Sequence, residues 1–476
     1  MRVLADAHLS GGFGEAGVRN EDLENLLNGL KDVMGKPRKN SRTSSRKPSS
    51  DDQKDQAERR EEAERKRPEG KGKGSPGPKP EHEPANRPPL KPEDADRQEP
   101  YFREDDKCPK CKGKMEERPD DDKTWEMLEL PEKPIERILF RRRAYWCGNC
   151  KCMHWADEPR DRTPWLFGPR LMSLLTCLKV QGSMSVRNLQ DFLAAMGAKA
   201  SVGVIQNSLG RSSDAVGEPY EELVREVAKE KVVNSDESHI KMNGRPYWAW
   251  VMVTAAYILF VIRESRGSAV LEEILGEDFS GVLGSDFFSA YKKFSRLHPA
   301  VVNQFCLVHL KRQLKDLAVN YGGERRRYGE KLLELLDKVF ELHHSLKDEF
   351  DLNTLRLLFK AAFDFRDYAV NEVPCLDKLC MPIARRLAER FEAHFIFILW
   401  RDVEPTNNLA EQAIRHLVID RHVTQGVRSE RGAIMKARLM TVRATCRKRG
   451  LSPFRYVYDC LVAMLGGEKA PSMLTG

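Results

Sequence analysis

The chain has 476 residues, room for about three structured units at roughly 100–200 residues per domain. It carries 80 Lys+Arg against 72 Asp+Glu, a net +8, with a mean hydropathy of −0.57. The longest apolar run, near Trp248–Ile262, is interrupted by Thr254 and is too short for a bilayer, so no membrane partner is expected. The N-terminus MRVLADAHLSGGFGEAG has no basic segment leading into an apolar one, and the 11 cysteines are an odd number in a long chain. Both features argue against a secreted, disulfide-framed protein and for a cytoplasmic one.

Residues 1–35 are expected to hold one short amphipathic helix over 20–34. Asn20 is its N-cap, and Leu23, Leu26, Leu27 and Leu30 form its stripe. Self-association and docking on the chain's own body are both open for that stripe. Residues 36–103 form a charged, Pro-rich linker. Positions 36–100 hold 18 Lys+Arg, 14 Asp+Glu and 11 prolines but only five apolar residues, too few to offset the entropy of ordering. A Cys-rich module follows over 104–157.

Residues 158–230 read as helical. Within them SMSVRNLQDFLAAMGAKASVGVIQNSLGR resembles a helix-turn-helix with Gly197 at the turn, a DNA-binding arrangement. The period then changes to strand. Lys231–Glu237, Tyr247–Thr254, Tyr257–Arg263, Gly281–Ser285 and Val301–Cys306 are β-branched or aromatic runs, and Asn243-Gly244 marks a hairpin. The expectation is an α/β core over 231–310 with a helix over 266–278, a helical insertion over 311–400, and a return to the core over 401–465. Helices are predicted there at 406–417 and 430–465.

Cys108-Pro-Lys-Cys111 and Cys147-Gly-Asn-Cys150 are two Cys-x-x-Cys knuckles. Two such knuckles facing each other complete a tetrahedral thiolate site for one structural Zn²⁺, with no open position for water. Cys152 or His154 could replace Cys150. Arg141, Arg142 and Arg143 on the same module suit phosphate contact.

Two strands end in or near aspartate: Asp236 in VVNSDESH and Asp286 in GVLGSDFFSAY. With a meander opening the sheet, this resembles the ribonuclease-H-like fold, in which the first and fourth strands are neighbours. Carboxylates brought together there repel unless a divalent cation lies between them. Glu411, on a helix entered through Thr406-Asn407-Asn408, is the third candidate, with the asparagines expected to cap. Glu237, Asp278 and Glu404 compete locally. Cys306 and His309 are three apart at a strand-to-helix junction; a metal site there needs two further ligands, so packing or local hydrogen bonding is the favoured reading. Trp248 and Tyr291 are assigned to the core.

Several segments together resemble the insertion sequence 66 family of bacterial DDE transposases. They are RKNSRTSSRKPSSDD, the two knuckles, DESHIKMNGRPYWAWV, SRGSAVLEEILGEDFSGVLGSDFFSAY, FCLVHLKRQLKDL and the block from PTNNLAEQAIRHLVIDRH to FRYVYDCLVAML, in that order. The resemblance implies that Asp236, Asp286 and Glu411 hold two Mg²⁺ ions. These would drive hydrolysis at the ends of a transposable element and strand transfer of the freed 3′-hydroxyl into target DNA. It also implies double-stranded DNA as partner, a homo-oligomer in the synaptic complex, small accessory proteins from the same element, and association with the nucleoid. A non-catalytic DNA-binding protein, or a structure-selective nuclease on the same fold, are the alternatives.

Residues 421–449 hold nine Lys/Arg and one acid, a net +8 equal to that of the whole chain. Arg421, Arg428, Arg431, Lys436 and Arg438 from that stretch, with Arg415 one turn after Glu411, are the expected DNA contacts.

Overall fold

The computed structural model describes residues 133–156 and 165–475, except 148 and 349, with Glu93, Asp96, Lys110, Cys111, Lys114, Leu130 and Pro131. The helix expected over 20–34, nearly all of the linker, and Cys108 lie outside the described residues.

The cysteine module contributes an antiparallel hairpin, β1 (Ala144–Cys147) and β2 (Cys152–Trp155), with Cys147 paired to Cys152. Four helices follow: α1 (Pro169–Val180), α2 (Val186–Ala195), α3 (Val202–Ala215) and α4 (Gly217–Glu226). Ser185 and Ser201 cap α2 and α3 by accepting from the N–H three residues on. Gly197 turns between them at φ +84°, a left-handed conformation that favours glycine. The later half of α3 is largely buried through Ser208, Leu209, Gly210, Ser212 and Ser213, with Asp214 exposed, while Gln206 and Asn207 of its first turns face outward.

The sheet begins with β3 (Val232–Met242) and β4 (Arg245–Val253), joined at Asn243-Gly244, both with positive φ as a tight two-residue hairpin requires. β5 (Ile258–Arg263) extends the meander. Two connections through α5 (Ser268–Leu275) and α6 (Ser289–Leu297) bring in β6 (Val282–Ser285) and β7 (Val302–Phe305). The order is β5-β4-β3-β6-β7, with β6 parallel to β3 and β7 parallel to β6. β3 is longer than the sequence suggests. Only Val232–Asn234 pair with β6, while the ladder to β4 runs on to Met242, so Asp236 lies within the strand rather than at its end.

After β7 come α7 (Leu307–Asn320), α8 (Gly323–Asp348), α9 (Leu352–Asn371), α10 (Met381–Glu389) and the short α11 (Glu392–Phe395). They bury a core of their own around Leu314, Leu336, Phe365 and Leu387. The chain re-enters the sheet region where the Leu307 N–H donates to the Pro405 carbonyl at 2.9 Å.

α12 (Asn408–Thr424) then crosses β3 and β4, α13 (Glu430–Lys448) runs along β5, and α14 (Pro453–Gly466) lies against α1. The single helix expected over 430–465 is therefore two. Gly450 takes a left-handed turn, and Ser452 caps a new helix with Pro453 in its first turn. Among the described residues, no helix is long and apolar enough to cross a membrane.

β5 is an edge strand, and α13 closes its open side. Thr441 Oγ1 accepts from the Phe260 N–H at 2.9 Å, and Thr445 Oγ1 accepts from the Ile258 N–H at 3.1 Å. Thr441 is fully buried. Thr441→Val keeps the shape but leaves that N–H unpaired, and urea titration should show a loss of about 1–3 kcal/mol.

Candidate active site

Alternation along β3 sends Asp236 and Ser238 to one face and Ser235 and Glu237 to the other. The first face looks toward α12, because Arg421 on that helix donates to Ser238 Oγ at 3.2 Å and also to the His239 carbonyl. Glu411 sits in the first turn of the same helix. Asp286 follows immediately on β6, the parallel neighbour of β3, and its Oδ1 accepts from the Phe288 N–H at 2.9 Å. β3 and β6 approach closely here: a side chain on Gly284 would meet Asn234 Oδ1 at 2.2 Å.

The electrostatics show these acids sharing one field. Burial pushes Asp286 up to about 6, and the charge of Glu237 adds to this. The Phe288 N–H and Arg266 oppose the rise, and Glu411 reinforces it. Tyr291, wholly buried, is raised well above the usual phenol range by burial and then by Glu237, Asp236 and Asp286.

Glu237, one of the local competitors, is committed elsewhere. Arg266 donates to its Oε1 at 2.6 and 2.8 Å, and the Tyr291 hydroxyl donates to its Oε2 at 2.5 Å. Glu404 pairs with Lys347, and Asp278 is exposed beyond α5. Tyr291 is thus in the core, as expected, but its hydroxyl serves the acidic cluster. Arg266 stacks on Phe288 at 3.8 Å and on Trp248 at 4.7 Å. Sequence reasoning missed both Arg266 and the hydroxyl of Tyr291.

The asparagines do not cap α12 with their side chains. Asn407 has near-helical backbone angles, not the extended ones that swing a cap oxygen over the first turn. Its amide instead donates to the Ser235 carbonyl at 2.7 Å, and its main-chain N–H donates to Cys306 Sγ at 3.2 Å. Asn407 thereby ties α12 to β3 and to the start of α7.

Two α7 side chains reach Glu411. His309 Nδ1 lies 3.7 Å from Oε1, and Arg312 Nη2 lies 3.7 Å from Oε2. Burial, then Arg312 and Arg386, pushes His309 down to about 4, so at neutral pH it is an uncharged neighbour and not an ion-pair partner. Arg312, not Arg415, is the guanidinium at Glu411; Arg415 is exposed.

Beside Asp286 opens a cleft of about 1070 Å³ between the Arg266–Ser268 and Phe287–Arg296 segments and α10. Eight cations line it (Arg266, Lys292, Lys293, Arg296, Lys378, Arg385, Arg386 and Arg390) against one acid, Glu389. Arg386 is buried there, and burial lowers it to about 10. It donates to Gln313 Oε1 at 2.6 Å, while its Nε has no partner.

The cations expected from the sequence to meet DNA are placed differently from one another. Arg141, Arg142 and Arg143 are exposed on the segment leading into β1, and Arg415 and Arg428 are exposed elsewhere. Arg431 is exposed and pairs with Asp214 at 3.3 Å. Arg421 is spent on β3. Arg438 is largely buried between Glu221 and Asp214, and Lys436 is buried against Asp420, which also meets Lys179 at 3.5 Å.

In the cysteine module, Cys147, Cys150 and His154 converge, with Cys150 Sγ 3.5 Å from His154 Nε2. The N–H and thiol of Cys150 and the N–H of Asn149 hold the Cys147 thiol below its usual range. Cys111 is exposed, and Cys108 lies outside the described residues.

Acids from β3, the end of β6 and α12 thus lie in an α/β protein with a cation-lined cleft beside them. Comparison with known proteins gives the particular family. Residues 164–435, more than half the chain, match the Transposase IS66 family, and the chain belongs to it. Residues 105–151 match the zinc-finger binding domain of transposase IS66, so the cysteine module is a zinc-binding one. Residues 12–81 match a family of unknown function. The chain is also similar to the uncharacterized protein y4hP of Sinorhizobium fredii. The two are 24% identical over 407 residues, covering 78% of this chain and 72% of that protein.

Proposed function

We propose that this transposase is a DDE enzyme on a ribonuclease-H-like core that cuts the ends of its element and joins them to target DNA. The observation that carries this reading is electrostatic: the charge of Glu411 helps raise Asp286, and Tyr291 is raised by both Asp236 and Asp286. The strand order supports the core assignment: an antiparallel meander whose first strand lies centrally, followed by two parallel strands.

Magnesium fits the donor set. The three carboxylates offer hard oxygens, Asp286 is raised partly by like charge, and Glu411 Oε1 is buried with no hydrogen-bond partner. Bound there, Mg²⁺ would supply activation of water and stabilisation of the departing 3′-oxygen. Asp236, Asp286 and Glu411 would be its ligands. The Phe288 N–H fixes the Asp286 carboxylate, and Arg312 steadies the far oxygen of Glu411. Arg266 pairs with Glu237 and Tyr291 donates to it, which holds that carboxylate apart from the proposed metal ligands.

The cleft cations, Lys292, Arg386 and Arg390 among them, would take DNA phosphates beside the scissile bond, with Arg141–Arg143 and Arg428 as outlying contacts. Lys436, held by Asp420, has an interior role in this reading. The zinc module would be structural, held by Cys108, Cys111, Cys147 and Cys150.

The test is Mg²⁺-dependent cleavage of DNA carrying the element's ends by wild type and by Asp286→Ala. Wild type should cut and join; equal cutting by both would sink the site assignment.

A further inference from the structure

Cys306 and His309 open α7, and Glu411 opens α12. The two helix starts face each other across the point where the helical excursion leaves and rejoins the sheet. One donor atom from each side chain, Sγ, Nδ1 and a carboxylate oxygen, lies within 4.8 Å of the other two. His309 Nδ1 and Glu411 Oε1 are both buried without a hydrogen-bond partner, 3.7 Å apart. A buried carboxylate oxygen facing an imidazole nitrogen, with no hydrogen bond to either, is costly unless something electropositive lies beside them.

The Asn407 N–H points at Cys306 Sγ from 3.2 Å. Arg312 occupies only Oε2 of Glu411 and leaves Oε1 free to turn inward. Sulfur, imidazole and a single carboxylate oxygen are the mixed donor set of zinc, and unlike the all-oxygen set of magnesium. At zinc bond lengths, tetrahedral ligands lie roughly 3.3–3.8 Å apart. The His309–Glu411 separation already meets this, and Cys306 needs only a small closure.

We propose that Cys306, His309 and Glu411 form a zinc site, separate from the one in the cysteine module, with three protein ligands and one open position. On the reading of Glu411 as a magnesium ligand, the two metals share that carboxylate, and zinc occupancy draws its Oε1 away from the acidic cluster. The site itself does not depend on that reading.

The experiment is zinc content of the full chain after loading and removal of free metal. The variants are His309→Ala, Cys306→Ser, and Cys147→Ser/Cys150→Ser. Wild type should retain two zinc ions per chain and each variant one. Cobalt loaded into Cys147→Ser/Cys150→Ser should still show a thiolate charge-transfer band, lost on adding Cys306→Ser. One zinc in wild type, unchanged in His309→Ala and Cys306→Ser, overturns the proposal. So does a Cys147→Ser/Cys150→Ser chain that folds, by circular dichroism, yet gives no cobalt–thiolate band. Two ions with this ligand dependence in a chain that cuts no DNA would uphold the zinc site while removing the cleavage reading.

Discussion

Asp236→Ala, Asp286→Ala and Glu411→Ala should each lower cleavage of element-end DNA by at least about 10³-fold, the scale of losing one preorganised electrostatic group. Residues that act as a unit are not additive, so Asp286→Ala/Glu411→Ala should fall little further than either single change. Loss of fold would mimic this result, but stability should move the other way. The Asp286 carboxyl is pushed up to about 6 by burial and by Glu237 and Glu411, against roughly 3.9 in an unfolded chain. The folded state therefore binds more protons between those values, and stability falls as pH rises through that window. Asp286→Asn removes this penalty. Metal-free melting at neutral pH should give a higher midpoint for the variant, with a weaker pH dependence between about 4 and 6. Cleavage by Asp286→Ala within tenfold of wild type, or a lower melting point for Asp286→Asn, would contradict the arrangement.

Asp420→Ala should destabilise the chain by about 3–5 kcal/mol, because it leaves two lysines without their counter-charge, one of them buried. Burial alone would raise Asp420, but Lys436 and then Lys179 outweigh it and hold the carboxyl below its usual range. A depressed carboxylate stabilises fully above its unfolded value near 3.9, and that contribution is lost as pH falls through the folded one. Wild type should lose stability on acidification in that range, and Asp420→Ala should lose less. Urea titration that finds less than about 1 kcal/mol between them at neutral pH would refute the buried role of Lys436.

Asp420 also marks where a sequence stops being readable. Charge counts carry no burial, so Lys436 and Arg438 look like Arg428 in a string, although two of the three are held by acids inside the fold. The same blindness hid the basic cleft. Its cations come from segments about 90 residues apart that meet only because α10 folds back beside α6. Strands were legible because their signals are local: β-branched runs and Asn243-Gly244 set the meander. The extent of β3 was not, since Asp236 and Glu237 interrupt the apolar run while the ladder to β4 continues past them. Asn407 has the composition of a cap but not the backbone of one. The break after Lys448 had its signals in plain view at Gly450, Ser452 and Pro453. Asp286 was singled out by its place at a strand end and Glu411 by the family resemblance, whereas the third donor beside Cys306 and His309 lay a hundred residues downstream, on α12.

The hydrogen bond between Leu307 and Pro405 gives the helical excursion a closed neck. The two ends of the excursion meet there, and α11 returns to β7, where Gln304 donates to the His394 carbonyl and accepts from the Phe397 N–H. Length added to α8 or α9, away from those contacts, should leave Asn407 and the start of α12 in place. The reach of the α8–α9 pair is therefore free to change independently of the sheet.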